Sequence, residues 1–542
     1  MSTMTEARRR FKTRGRVRPR FWRMQNVRRI VQVLFLSLFV TLLALTVYPV
    51  RSPIPVDLFF RADPLVVLST FIASREVIGT LVPLAAMMLA LTVVLGRFFC
   101  GWFCPMGTVI DLSDRFLVRR NRRAAGAKGF PSVKYYILAA VLMSALFSAQ
   151  IVYFLDPFAI LTRTAVWVLF APVALLARMV TGSPWVADWA PSLTQISFLP
   201  EIQPHYRMNL LAALLFAGIL ALGLVSRRFW CRNLCPLGAL LALLSGWGIV
   251  RRQTQPDHGD SPKCIECHRC DRECKMGAIL SDSHRYLALE CIYCYNCVSV
   301  CAPGATSFPI TLRREGFETA TDLNRRRLLG FATLGVLWAG IAAGDIGAKK
   351  VGNSPIKASS PFRIRPPGSL PEEQFLQKCV RCSLCMKVCP TNGLQPALAE
   401  AGIEGFWTPV LVPRIGHCAQ HCTACGDVCP TDAIQPFTVA EKKYLFIGRA
   451  YIDRSMCIVW AQNKKCLVCD EHCSYRALHW KVVDGLRRPF VNEYLCTGCG
   501  ECEAKCPVQP VAAIRVTTLG DLRHLTREAQ KRFYERHLEN KE

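Results

Sequence analysis

Long apolar blocks organise the first half of this chain. Four uncharged stretches, Ile30 to Val50, Val77 to Gly96, Tyr135 to Leu155 and Met208 to Ser226, hold 21, 20, 21 and 19 residues. About 20 apolar residues cross a hydrocarbon core as a helix, so each predicts a membrane span. Pro64 to Ser74 and Thr164 to Ala177 are too short to cross and predict helices lying in or dipping into the outer interface. Pro236 to Val250, at 15 residues, predicts a surface or re-entrant helix, because the Arg251-Arg252 pair follows it. A fifth stretch, Leu328 to Gly344, has 17 residues and follows Asn324-Arg325-Arg326-Arg327. Twin arginines before a modestly hydrophobic segment are the pattern of Tat export, which moves folded proteins across the membrane. From there to Phe375 the Pro, Gly and Ser content predicts a linker.

Charge sets the direction of these spans. Eleven Arg or Lys residues, Arg8 through Arg29, precede the first span against Glu6 alone, which predicts a cytoplasmic N-terminus. Arg97, Arg115, Arg119, Arg120, Arg122, Arg123, Lys128 and Lys134 follow the second span, and Arg227, Arg228, Arg232, Arg251 and Arg252 follow the fourth. Those ends are cytoplasmic by the same rule, and Lys378 to Arg515, beyond the fifth stretch, is expected in the periplasm. The 67 Lys and Arg against 39 Asp and Glu give a formal charge of +28. In a soluble protein that would suggest nucleic acid, but here the charge flanks apolar segments and reads as topology. A hydrophobic share of 51% and a mean hydropathy of +0.24 exclude disorder over most of the length.

A unit recurs inside the apolar half. Phe59-Phe60-Arg61-Ala62-Asp63-Pro64-Leu65 resembles Val152-Tyr153-Phe154-Leu155-Asp156-Pro157-Phe158. Arg97-Phe98-Phe99-Cys100-Gly101-Trp102-Phe103-Cys104-Pro105-Met106-Gly107 resembles Arg228-Phe229-Trp230-Cys231-Arg232-Asn233-Leu234-Cys235-Pro236-Leu237-Gly238. A helical hairpin present twice predicts a four-helix bundle with a pseudo-two-fold axis along the membrane normal.

Cysteine carries the chemistry. Of 28 cysteines, 24 fall into six groups of four. Cys264, Cys267, Cys270 and Cys274, then Cys291, Cys294, Cys297 and Cys301, follow the C-x2-C-x2-C-x3-C spacing of bacterial ferredoxins. In that run three thiolates wrap one cubane and the fourth ligates the other. One cluster is therefore assigned to Cys264, Cys267, Cys270 and Cys301, and its partner to Cys291, Cys294, Cys297 and Cys274. Four further groups follow: Cys379, Cys382, Cys385 and Cys389; Cys418, Cys422, Cys425 and Cys429; Cys457, Cys466, Cys469 and Cys473; and Cys496, Cys499, Cys502 and Cys506. Proline follows three of them directly, whereas the third has a long first gap and Ser474 in that place. Zinc usually takes two separated C-x2-C pairs, and thiols two residues apart are poorly placed for disulfides, so six [4Fe-4S] clusters are expected.

None of the ten histidines lies in the four spans, which rules out a bis-histidine haem there, and no dinucleotide fingerprint is present. The membrane redox partner expected is a quinone or quinol. Asp63 and Asp156, placed by the pattern at the outer face, are candidate proton acceptors in quinol oxidation, although Asp before Pro is also a good helix cap. Cys100, Cys104, Cys231 and Cys235 are expected to converge at the cytoplasmic face. Four thiolates suit an additional metal centre and two dithiols suit a disulfide cycle, while four small buried hydrophobes are the simpler alternative.

Residues 30 to 310 resemble the NapH-type membrane quinol dehydrogenase subunit of periplasmic nitrate reductase systems, with four helices, two C-x3-C-P motifs and a two-cluster ferredoxin end. Residues 325 to 515 resemble the NapG-type partner, a Tat-exported ferredoxin with four cubanes. The resemblance implies a fusion of the two, with the leader retained as a fifth helix. The fold it implies is a membrane α-helical bundle, four helices plus a fifth linking one, with two ferredoxin-like α+β iron-sulfur modules. The divisions are a basic N-terminus (1–29), the membrane domain (30–255), a two-cluster ferredoxin (256–310), a segment and linker (311–377), a four-cluster module (378–515) and a charged C-terminal helix (516–542). Function follows as electron transfer from the quinol pool to a periplasmic reductase or its cytochrome, in a bacterial inner membrane and without nucleic acid. C-x3-C-P bundles also occur in nitrous-oxide-regulator and copper-reducing assembly families, so a protein that reduces metal for another enzyme is the alternative. By the same resemblance the outer quartets are expected to pair in nested order, first with fourth.

Overall fold

The computed structural model describes residues 24–120, 130–181, 204–254, 264–280, 284–301, 304–310, 317–318, 323–347 and 361–539. The apolar half folds as an array of helices: α1 (Met24–Leu45), α2 (Pro64–Ser74), α3 (Val82–Leu95), α4 (Pro105–Arg120), α5 (Val133–Leu146), α6 (Pro157–Thr164), α7 (Asn209–Ala221), α8 (Pro236–Ser245) and α9 (Arg325–Gly347). A π turn, Ala165–Leu169, carries α6 into a further helix, Phe170–Thr181.

Four of these helices start in one way. Pro64, Pro105, Pro157 and Pro236 take the first helical position, where the absent N–H costs nothing and φ is already helical. The residue before each is the cap. Asp63 Oδ1 accepts from the Leu65 and Val66 amides at 2.8 and 3.4 Å, and Asp156 Oδ2 accepts from Ala159 at 2.7 Å. Cys104 and Cys235 cap with sulfur, accepting from Gly107 at 3.4 Å and Gly238 at 3.3 Å.

Cysteine-rich modules hold both ends of the array. At the start of α1, Gln25 donates to Asn296 at 2.9 Å; just past its end, Lys387 donates to the Thr46 carbonyl at 3.2 Å. The 22 residues between span about 33 Å. The other long helices repeat the arrangement. α3 begins beyond the Glu76–Lys378 ion pair and ends at Gly96, where φ is +74° and a Cβ would stand 2.6 Å from the Tyr293 ring. α5 begins at a buried Lys134–Glu290 pair, and beyond its end the Gln150 carbonyl accepts from Arg381 at 2.7 Å. α7 follows His205, whose carbonyl accepts from Asn392 at 2.8 Å, and leads to Arg227, paired with Glu273 at 3.1 Å. α9 runs along α5, with Gly335 seated against the Ala140 carbonyl where a Cβ would clash at 2.3 Å. The described residues of 264–310, which we call the inner module, therefore dock at one end of the array, the inner end, and residues 361–539, which we call the outer module, dock at the other.

The helices differ in length from the apolar blocks. Of the described helices, Met24–Leu45 and Pro157–Val180 are long and apolar enough to cross a membrane by themselves, while Val82–Leu95 and Val133–Leu146 have 14 residues each. The ends of those blocks are spent on turns that meet the modules. Thr164 to Ala177, expected as a separate short interfacial helix, lies inside the longer run. Arg163, which breaks the apolar count, is buried with its guanidinium 4.1 Å from the centre of the Trp407 ring.

The outer module is built from short antiparallel pairs: Leu394–Pro396 with Pro409–Leu411, Arg449–Ile452 with Ile514–Thr517, and the hairpin Leu478–Val483 with Leu486–Val491. Asp484-Gly485 turns that hairpin with both φ values positive, the signature of a two-residue I′ turn. The module extends beyond its expected limits. The stretch from Pro361, expected as linker, is folded onto it, with Arg365 fully buried and Leu411 donating to the Ile364 carbonyl at 2.8 Å. The C-terminal helix Arg527–Glu539 packs Phe533 against Phe446, ring centres 5.6 Å apart.

Glu372 fixes that extension. Burial would raise its pKa, but Arg365 at 2.6 Å, with Arg363 and Arg523 each at 3.6 Å, outweighs burial and holds the carboxyl at about 2. The folded value lies below the ordinary 4.5, so this contribution is full above about pH 4.5 and lost as pH falls toward 2. Its size is about 3 kcal/mol. Glu372→Gln is expected to destabilise the outer module by about that amount at pH 7. Hydrogen exchange over the helix Glu372–Lys378 measures this, and protection equal to that of the unmodified chain would refute it.

Candidate iron-sulfur sites and the buried residues between them

Two ferredoxin-like groups form at the inner end. Cys264 lies in electrostatic reach of Cys267, Cys270 and Cys301, and Cys291 of Cys294, Cys297 and Cys274. The fourth cysteine of each run therefore joins the other group. In the outer module Cys385 lies in electrostatic reach of Cys382, Cys379 and Cys429 first, and Cys425 of Cys418, Cys422 and Cys389. Cys469 is in reach of Cys466, Cys457 and Cys506, and Cys502 of Cys499, Cys496 and Cys473 first. The outer quartets thus pair in chain order, first with second and third with fourth. The nested order does not form, because each pair is closed by its own fourth cysteines.

Backbone conformation explains how three sulfurs turn to one centre. The residues flanking the second cysteine have positive φ in four runs: Glu266 and His268, Tyr293 and Tyr295, Arg381 and Ser383, Gly498 and Gly500. Glycine adopts this at no cost, whereas the other three runs hold six non-glycine residues there, a strain that persists where the surroundings over-determine it. Fourth cysteines accept backbone amides, Cys274 from Ala278 at 3.3 Å, Cys429 from Ile434 at 3.4 Å and Cys473 from Ala477 at 3.2 Å. Burial first, then the neighbouring sulfurs, push the Cys385 and Cys502 thiols well above their ordinary range. Such a set cannot become four thiolates without a compensating cation, and it fits the donors of an iron-sulfur cluster. Among the described residues no group of three or more His, Cys, Asp or Glu side chains is gathered around a single-ion position.

Between the modules lies a second set of buried groups. Asp63 and Asp156, expected at the outer interface, are both fully buried, because α2 and α6 begin inside the array. The two carboxyls are within hydrogen-bonding reach of each other, and Asp63 Oδ2 and Asp156 Oδ1 have no other partner. A proton shared between them satisfies both oxygens. Tyr153, also buried, donates to or accepts from Thr70 at 2.8 Å nearby. Arg163 bears on both Asp156 and Cys382 of the outer module.

Toward the inner end, Cys104 lies in electrostatic reach of Cys100 and Cys231, and Cys235 of Cys100, Cys104 and Cys231. Arg97 and Arg228 precede them at equivalent positions and are wholly buried. Arg97 pairs with Glu290 at 3.0 Å, and Arg228 with Asp111 at 2.7 Å. Sequence reasoning counted these arginines only as topology signals; their equal place in the repeat was the clue to more. Arg163 and Arg381 carried no such clue.

Comparison with known proteins agrees with the cysteine geometry. The 4Fe-4S binding domain family Fer4_5 matches residues 79–124 and 208–253, one match over each repeat. A second 4Fe-4S binding domain family, Fer4, matches residues 375–395 and 489–511. The methylamine utilization ferredoxin-type protein MauM of Methylorubrum extorquens is 36% identical over 28% of this chain and 71% of its own length. The ferredoxin-type protein NapF of Escherichia coli is 34% identical over 28% of this chain and 84% of its own. The ferredoxin-type protein NapH of Haemophilus influenzae is 24% identical over 47% of this chain and 77% of its own. No solved structure matches. The paired cysteine runs, the matched 4Fe-4S domains and the extent of the MauM and NapF matches lead to one conclusion: this chain belongs to the ferredoxin-type iron-sulfur electron-transfer proteins.

Proposed function

We propose that the chain is a membrane-bound quinol dehydrogenase, a NapH-type half fused to a NapG-type half, that passes electrons through six [4Fe-4S] clusters to a periplasmic reductase or its cytochrome, as in nitrate reduction. One observation carries the reading: cysteine-rich modules sit at opposite ends of a helix array whose α1 is about 33 Å long, close to a hydrocarbon core of about 30 Å. Between the modules, Ile30, Val33 and Leu34 of α1, Leu210 and Leu214 of α7, and Leu334 and Leu337 of α9 are exposed, an apolar surface suited to lipid. With the basic N-terminal run, the reading assigns the inner module to the cytoplasm and residues 361–539 to the periplasm of a bacterial inner membrane.

The six quartets would hold the clusters, which supply one-electron acceptors when bound. The chain's own residues answer for the protons. Oxidising a quinol to a quinone releases two electrons and two protons, and a low-dielectric interior needs a base to receive each proton. The Asp63–Asp156 pair, sharing one proton, has capacity for one more, so it would take the two quinol protons one at a time, the first passing on to water beyond the array before the second is released.

Purified in detergent, the chain is expected to show its clusters reduced on mixing with quinol. Clusters that stay oxidised with quinol, yet are reoxidised by a copper salt once chemically reduced, would replace this reading with metal reduction. Asp63→Asn and Asp156→Asn each keep the cap and remove the base, so cluster reduction should slow by about 100-fold while the cluster spectra are retained. Unchanged rates in both variants leave capping as the only role. Alkaline phosphatase fused after Glu542 is expected to be active and a fluorescent-protein fusion dark, and the opposite pattern would reverse the orientation.

A further inference from the structure

The third outer quartet departs from the others, and nothing above uses the departure. Eight residues separate Cys457 from Cys466, whereas the other three outer runs place two or three there. The order of the quartets in space gives this a meaning. The first lies against the helix array: Arg163 and Asp57 both bear on Cys382, and Tyr206 donates to the carbonyl of Met386, next to Cys385, at 3.3 Å. The second is tied to the first by the exchanged cysteines Cys389 and Cys429. Cys418 of the second donates its amide to the Cys499 carbonyl of the fourth at 2.8 Å. The fourth pairs in turn with the third, where Cys502 is in reach of Cys469. Outward from the array the sites therefore run first, second, fourth, third.

The added residues build the surface at that far end. They form the short helix Ile458–Ala461, and Trp460 Nε1 donates to the Pro489 carbonyl of the neighbouring hairpin at 3.3 Å. Arg454 and Arg488 lie 4.3 and 4.7 Å from the centre of the Trp460 ring. The cavity lined by Cys457, Cys466, Cys469 and Cys506 shares Ile452 and Pro489 with an open cleft lined by Trp460, Arg454 and Phe490. Residues 458–465 and 478–491 carry five cations, Lys464, Lys465, Lys481, Arg487 and Arg488, against Asp484 alone. Leu467 and Val482, next to Cys466 and Lys481 in the chain, are 51% and 70% exposed. Cations around exposed apolar side chains suit a protein partner of opposite charge, which they steer and then hold. We propose that this face is where electrons leave the chain, and that Lys464, Lys465 and Lys481 dock an acidic protein carrying a one-electron acceptor. One electron leaves the site of the third quartet and reduces the partner's oxidised carrier by one, and no bond or proton changes. The inference rests on the electron-transfer reading and adds which site comes last and what charge the partner presents.

The full chain in detergent, reduced chemically, is mixed in a stopped-flow with plastocyanin, an acidic blue-copper protein, and separately with a basic c-type cytochrome. Reoxidation by plastocyanin should saturate with its concentration and slow about tenfold when the salt is raised to about 0.5 M. The double variant Lys464→Glu, Lys465→Glu should slow it by about tenfold with the EPR signals of the chain kept. Carbodiimide cross-links to plastocyanin should fall on Lys464, Lys465 or Lys481. Equal rates with the acidic and basic proteins, or cross-links concentrated on other lysines, overturn the proposal. So does a face that binds phosphatidylglycerol vesicles and leaves plastocyanin free. If the double variant does not accumulate, the cross-link map of the unmodified chain decides alone. Chemical reduction keeps this test apart from the quinol reading. If that reading fails, quinol leaves the sites oxidised while plastocyanin still docks here; if this proposal fails, quinol reduces them and plastocyanin shows no preference for the face.

Discussion

Two buried guanidinium groups at the inner end are the constraint on which the arrangement turns. Arg97 and Arg228 have no exposure, and a charge buried without its partner costs several kcal/mol. Arg97 recruits Glu290 from the inner module, and Lys134 and Tyr135 of α5 join the same carboxylate. Arg228 recruits Asp111 of α4, on which Arg28 and Gln32 of α1 and Lys275 of the inner module also converge. Each carboxylate is therefore shared between cations of different elements. The inner module is required for the helix array to satisfy its charges, and the array is required for the module to satisfy Glu290.

The outer end is held by different means. There the contacts run mostly to backbone carbonyls and aromatic faces: Arg381 to the Gln150 carbonyl, Lys387 to the Thr46 carbonyl, and Arg163 over Trp407. Apart from the ion pairs Glu76–Lys378 and Arg207–Glu400, the cations at this end meet carbonyl dipoles and ring quadrupoles rather than full negative charge. The two interfaces thus have different electrostatic characters, although a repeat of the same helical unit builds the array beneath both.

Much of this was legible in the sequence because it rests on local rules. Asp-Pro and Cys-Pro mark the starts of α2, α4, α6 and α8, the apolar blocks mark α1, α3, α5, α7 and α9 with alternating direction, and cysteine spacing marks the groups of the inner module. What was not legible depends on distant partners. Arg163 hides a helix of 24 residues because its charge is absorbed by a tryptophan 244 positions later in the chain. The stretch from Pro361 looks like linker by composition, yet Arg365 and Glu372 tie it into the module. The order of the outer quartets follows from which fourth cysteine closes each group, which spacing alone does not fix. The depth of Asp63 and Asp156 depends on where short helices enter the array, which a hydropathy block does not record.

Fastening the long helices at both ends has a consequence for how such a chain can change over generations. One residue inserted into α1 would advance everything after it by about 1.5 Å and turn it by about 100°. Gln25 and Lys387 would then no longer find their partners together, and α3, α5 and α7 hold the same spacing alongside. Length in this array is a shared property: it can drift only if several helices drift in step, whereas substitutions on their outward faces remain free.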